Sequence, residues 1–198
     1  MLNAIAVIPA RGGSRRLARK NIVPILDRPL IAWAIGAAQA SRAVGTANVF
    51  VSTDDAEIAA VARAYGAGVV ARPAELAQDH VWTEPVIQHA VEQVESERGQ
   101  PVDLVVWMNA CGAEVTAADV DQAVDRLQTE DLREVFSVDA RFRSNSIVRA
   151  LTRAALFQHC LSVRCAVMVL DYIDIHSAAD VLIVEARLRQ RASARGAA

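Results

Sequence analysis

Lysine is nearly missing from this chain of 198 residues: of its 21 basic side chains only Lys20 is a lysine, and the rest are arginine. A chain that takes arginine everywhere else and lysine once points to a spot needing a compact, flexible ammonium rather than a planar fork. An excess of positive charge is missing too. The 23 acidic residues leave a net charge of -2, which argues against a general nucleic-acid binder, because such proteins need a positive field or a long basic face. Cysteine is scarce and odd in number. Cys111, Cys160 and Cys165 form no C-x-x-C pair, so a disulfide framework or structural zinc site is not expected, and a reducing compartment fits. No stretch approaches the ~18 uninterrupted apolar residues of a membrane span, and no basic segment leads into an apolar leader core. The expectation is a cytoplasmic protein with no membrane and no nucleic-acid partner. Neither the G-x-x-x-x-G-K-[ST] nor the G-x-G-x-x-G fingerprint is present.

What the chain does have is an unusual opening, AIAVIPARGGSRRLARKN over residues 4 to 21. Ala4 to Ile8 is a short apolar run suited to a buried strand, and Pro9 stops it. Gly12 and Gly13 then remove side chains where backbone comes close to something, while Arg11, Arg15, Arg16, Arg19 and Lys20 place five cations within ten positions. Backbone N–H groups and cations converging on the same oxygens hold polyphosphate; a solvated basic turn is the plainer alternative.

Downstream, strand and helix signals alternate. Helices are expected over Pro29 to Ala40, with Gly36 as a close-packing point, from Thr53–Asp55 to Ala64, over Glu84 to Glu97, and from Thr116 with Asp119 to about Gln128. Strands are expected over Ala47 to Ser52, Gly68 to Ala71, Asp103 to Met108, Glu134 to Val138 and, as a last buried strand, Cys165 to Leu170. The pattern weakens between Arg141 and Arg164, and Ser177 with Asp180 starts a final helix. This order implies an α/β fold, a three-layer α/β/α sandwich with a mostly parallel sheet. It reads as one domain over residues 1–188 with a frayed, disordered tail over 189–198. Ligands in such sheets sit at the carboxyl ends of the strands, where the basic loop falls.

The loop IPARGGSRRLARKN resembles the signature of the acylneuraminate cytidylyltransferase family, which activates acidic sugars with CTP and shares a nucleotide-diphospho-sugar transferase-like fold. The family pattern, approximately A-R-x-G-S-K-x-x-x-x-K-N, is met by Ala10, Arg11, Gly13, Ser14, Lys20 and Asn21, with Arg15 in place of a lysine. The resemblance implies that Arg11, Arg15 and Lys20 hold the phosphates and act catalytically. Ser14 and the amides of Ala10, Gly12 and Gly13 would add hydrogen bonds, and Asn21, Arg72 and Thr83 would hold the cytidine. Arg72 opens a segment, RPAEL, that resembles the family's R-P-x-x-L; by position alone it is a surface arginine. Ser52 to Asp55, STDD, is similar to a family segment, and its carboxylates either face a metal or, more simply, cap the next helix.

Three departures stand out. Where relatives read approximately L-L-Q-P-T-S-P-L-R-T, this chain has WMNACGAEVT, keeping an amide at Asn109 toward the substrate but losing the arginine; Cys111 there reads as a buried inert thiol. A segment of relatives that contributes to the sugar pocket and dimer contact is missing after Val138, which leaves a weakened homodimer as the expectation. Asp174-Ile175-His176 stands where the family has D-x-D holding a divalent cation. Alternation puts residues 174 and 176 on one face, and the imidazole lowers affinity for Mg²⁺ or shifts preference toward Mn²⁺ or zinc; a helix-entry turn is the alternative. The implied reaction transfers CMP from CTP to an acidic sugar such as a nonulosonate, releasing pyrophosphate. The competing reading is a diverged relative that binds nucleotide with little or no transfer, as a binding or regulatory module.

Overall fold

The computed structural model describes residues 2–14, 17–158 and 162–196. The strands among the described residues are β1 (Ala4–Pro9), β2 (Pro24–Ile25), β3 (Arg28–Pro29), β4 (Val49–Thr53), β5 (Gly68–Ala71), β6 (Leu104–Met108), β7 (Glu134–Val138), β8 (Ser144–Thr152) and β9 (Cys165–Val169). Its α-helices are α1 (Leu30–Ala40), α2 (Ala56–Ala64), α3 (Thr83–Arg98), α4 (Ala117–Thr129), α5 (Arg153–Leu156) and α6 (Ala178–Gly196). Seven strands form one sheet in the order β5-β4-β1-β6-β8-β7-β9, and β2 pairs with β3 apart from it.

β1 lies inside the sheet, parallel to both β4 and β6, with Val7 opposite Phe50 on one side and Trp107 on the other. Ala4 to Ile8 are all buried, as a strand covered on both faces requires. One face packs Ala6, Ile8, Val51 and Val106 under α1, α2 and α4. The other packs Ile5, Val7, Val105 and Trp107 under Ile87, Ala90, Val91 and Val94 of α3. The sandwich therefore has its three layers, and β1, β4, β5, β6, β7 and β9 run one way. β8 runs against β6 and β7.

Local caps explain the helix starts. Asp55 accepts hydrogen bonds from the N–H groups of Glu57 and Ile58, so its carboxylate caps α2. Thr116 and Asp119 form the reciprocal capping box of α4. Pro29 sits just outside α1 rather than in its first turn.

Four expectations are corrected. Nine residues of the weakly patterned stretch form β8, whose run Ile147-Val148-Arg149-Ala150-Leu151 has a cation in its middle that hides the apolar pattern. β9 is an edge strand: among the described residues it pairs with β7 alone, and Cys165, Val167 and Val169 are exposed while Met168 is buried. The tail is helical to Gly196, because Arg191 bonds the Glu114 carboxylate and backbone carbonyl, and Arg189 pairs with Glu185 one turn back. Gly36 is not a close-packing point, since a Cβ there meets nothing within 4 Å.

Three arginines tie distant parts of the fold together. Glu114, only 1% exposed, lies in the turn after β6 and receives Arg187 and Arg191 from α6 as well as the Ile173 N–H. At the sheet edge Arg126 of α4 donates to the Val167 carbonyl at 2.7 Å while pairing with Glu130.

Candidate active site

The carboxyl ends of β1 and β6 deliver Arg11 and Asn109 to one place, and two cavities meet there. The first, about 370 Å³, is lined by Pro9, Arg11, Ser14, Lys20, Asn21, Asn109 and Cys111. The second, about 540 Å³, also touches Pro9, Arg11 and Asn109 and extends to Arg72, Thr83, Trp107 and Arg149. Together they form a trough across the strand ends, which is where an open α/β sheet places a ligand.

The loop between β1 and the Lys20–Ile22 turn is held by its own contacts. Ala10, buried, donates its N–H to the Ser52 carbonyl at 2.9 Å, and the Asn21 amide donates to the Arg11 carbonyl at 2.9 Å. The Gly12 N–H bonds Asp54 at 3.0 Å, and a Cβ on Gly12 would lie 2.6 Å from an Asp55 oxygen. Gly12 is thus required by the cap of α2, and its amide is already engaged. Gly13 has open space around it, and Ser14 lines the first cavity. Arg15 and Arg16 lie outside the described residues, so the role expected of Arg15 is not addressed by the geometry.

The cations are not equivalent. Arg11 is paired with Asp79 at 2.6 Å, and Arg19 with Asp55 and Glu57. Lys20 is different: its ammonium is 3.4 Å from Nδ1 of His176, and it forms no ion pair with a carboxylate among the described residues. Arg72 is 8% exposed and donates to the Ser52 carbonyl at 2.7 Å and to the Ser52 hydroxyl at 3.3 Å. Burial, against some help from Asp54, lowers its pKa to about 10. A guanidinium so enclosed, with no carboxylate bound to it among the described residues, is prepared for an anionic or acceptor-rich ligand. Thr83 opens α3 beside it.

Asn109 accepts the Cys111 N–H at 3.2 Å, which turns the chain away from β6. Cys111 is buried, and that burial raises its thiol to about 11 even with Lys20 beside it. It is the inert thiol expected. Asp174 and His176 do come together, Nε2 to Oδ2 at 2.9 Å. Both ring nitrogens are then occupied, by Asp174 and by Lys20, so the pair offers one open donor, Oδ1 of Asp174, which is buried and has no hydrogen-bond partner among the described residues. No cluster of three or more metal-binding side chains occurs among the described residues. One carboxylate fits a hard cation shared with substrate phosphates, the usual arrangement for Mg²⁺, and does not fit a cation held by protein alone.

The sequence model of a family described as cytidylyltransferase matches residues 5–133, a stretch that includes β1, the basic loop, β6 and Asn109. The chain belongs to the cytidylyltransferase family. Over 87 residues it is 42% identical to the N-acylneuraminate cytidylyltransferase of Escherichia coli, a match covering 44% of this chain and 20% of that protein. Over 94 residues it is 40% identical to the pseudaminic acid cytidylyltransferase of Campylobacter jejuni, covering 47% of this chain and 40% of that one. These matches span well under half of either relative. Among solved structures, the CMP:2-keto-3-deoxy-manno-octonic acid synthetase complexed with CTP superposes with a TM-score of 0.74 over 96% of this chain and 99% of that one, at 17% identity. That likeness establishes the fold.

Sequence reasoning missed Arg149, Glu84 and Asp79 in this member of the family. Arg149 lies on the strand that the pattern concealed; a charged residue inside a short apolar run was its available signal. Asp79 carried none, and Glu84 stood only as the start of a helical pattern, with nothing in the sequence to tie it to the trough.

Proposed function

We propose that the chain transfers the cytidylyl group of CTP to an acidic sugar, with release of pyrophosphate. The observation that carries this is the trough joined at Arg11 and Asn109, with one ammonium, Lys20, in its first cavity and in its second one buried guanidinium, Arg72, that has no carboxylate partner among the described residues. The triphosphate lies in the first cavity against Lys20, Ser14 and Arg11, and the cytidine extends toward Arg72 and Thr83. The anomeric hydroxyl of the sugar then attacks the α-phosphorus, and the bond to the β-phosphate oxygen breaks. Such transfer depends mainly on positioning and on offsetting charge, which is what fixed cations in a partly enclosed site provide. Arg11 is held by Asp79 before ligand arrives, so its geometry is set in advance. Asp174 would hold a divalent cation shared with the triphosphate, with His176 fixing that carboxylate. Such a cation, when bound, screens the phosphates and the departing pyrophosphate.

A second reading, nucleotide binding without transfer, is favoured by one observation. Glu114 turns inward after β6 to clasp α6 rather than facing the trough. Calorimetric titration of CTP with Mg²⁺ or Mn²⁺, followed by pyrophosphate release with a panel of nonulosonic and related acids, separates the two. Transfer predicts release with at least one acid and its loss in Lys20→Ala, with Lys20→Arg impaired. CTP binding with no release from any acid supports the second reading, and no CTP binding retires both.

A further inference from the structure

The acid-sugar reading requires a cation for the sugar carboxylate, and the arginine that the resemblance leads one to expect after β6 is absent. Arg149 stands in the second cavity, on β8 directly across from Trp107, with its guanidinium 5.1 Å from the centre of the indole ring. Two carboxylates hold it. Glu134 accepts from Nε at 2.7 Å and is 13% exposed; Glu84 accepts from Nη1 at 2.9 Å and is 44% exposed. Among the described residues Nη2 has no hydrogen-bond acceptor, so release of Glu84 from Nη1 would open the Nη1–Nη2 edge to a carboxylate bound in parallel. Burial works against the charge of Arg149, and the bond to Glu134, with Glu84 behind it, more than restores it.

The two glutamates have different duties. Glu134 is enclosed on β7 and fixes the arginine. Glu84 lies in the first turn of α3 at the mouth of the cavity, where a carboxylate released into solvent stays favourably placed at a helix N-terminus. We propose that Glu84 is a stand-in for the substrate: the carboxylate of the acidic sugar displaces it from Arg149, which makes Arg149 the specificity-determining cation and Glu84 its gate. This rests on the cytidylyl-transfer reading for the identity of the acid, and on the geometry alone for the exchange. Trp107 beneath the guanidinium and Asn109, just past the end of β6, lead from Arg149 toward the junction of the two cavities.

The test is a two-stage titration of the full chain. Cytidine 5′-(α,β-methylene)triphosphate, which cannot be turned over at the α–β link, is added first; N-acetylneuraminate, 3-deoxy-manno-octulosonate and the methyl ester of N-acetylneuraminate are added next, with and without the analogue. Glu84→Gln is expected to tighten binding of an acid several-fold and leave the ester unchanged. Arg149→Gln weakens the acid at least tenfold, Arg149→Lys weakens it less, and each variant binds the nucleotide analogue within twofold of wild type. Failure of both acids to bind the wild-type protein overturns the proposal, as does equal or weaker acid binding by Glu84→Gln. Loss of analogue binding alone sinks the cytidylyl-transfer reading instead, while the acid titration without analogue still reports on Arg149.

Discussion

Arg72 is buried, and its hydrogen bonds go to Ser52 rather than to a carboxylate. A side chain in that state adds little to folding, because the cost of enclosing its charge offsets what its hydrogen bonds return. Its contribution is realised when a ligand supplies the missing acceptors. Arg72→Met, close in length and without the charge, is therefore expected to change stability by less than about 1 kcal/mol while weakening CTP at least tenfold. Thermal melts and a nucleotide titration on the same sample check both halves. A large loss of stability would assign Arg72 to the fold instead. Gly12 makes the complementary case: it sits in the glycine-rich loop, yet its lack of a side chain is required by Asp55 and its N–H by Asp54. Residue type alone cannot distinguish a glycine that admits phosphate from one that admits a carboxylate of the next helix.

Among the elements, α3 is tied at its far end by a pair that reports on pH. The hydrogen bond from Arg153 holds the Glu95 carboxyl below its ordinary value of 4.5, with the Val102 N–H adding to it against burial. Because the folded-state pKa is the lower one, this pairing stabilises the fold above about pH 4.5 and is lost as pH falls through that range. The melting temperature should decline between pH 5 and 3, and Glu95→Gln should start lower at pH 7 and decline less. Equal slopes for the two proteins would remove Glu95 from the account. Elements of this kind were partly visible in the sequence. β1, β5 and β7 follow apolar runs closely, and Thr116 with Asp119 announces α4, because local patterning and caps depend on neighbours in the chain. β8 was hidden since the partners that justify Arg149, Glu84 on α3 and Glu134 on β7, lie 65 and 15 residues away. The site divided in the same manner: Arg11, Ser14, Lys20, Asn21, Arg72, Thr83 and Asn109 were legible as motif positions and do line the trough, whereas Asp79 and Arg149 enter it only through the fold.

For the whole molecule, the sheet has an exposed end at β9, where Cys165, Val167 and Val169 face outward on one side. A row of unpaired backbone groups at such an edge is a template for another strand, and Arg126 occupies it by bonding the Val167 carbonyl. Arg126→Ala is expected to leave nucleotide binding intact and to raise self-association, seen as concentration-dependent light scattering that grows over hours at 37 °C. The control Glu130→Gln, which removes only the salt-bridge partner, should scatter as the wild type does. Scattering unchanged by loss of Arg126 would show that the edge is guarded by something else.

The pairing of β1 with β6 also has a temporal meaning. Ile5 is matched to Val105 and Val7 to Trp107, so during synthesis the first strand is made a hundred residues before its neighbour on that side exists. Until then five consecutive apolar residues and the basic segment behind them travel without a finished sheet. The cavity proposed for nucleotide is thus completed only after β6 is made, although the basic loop that lines it is synthesised far earlier.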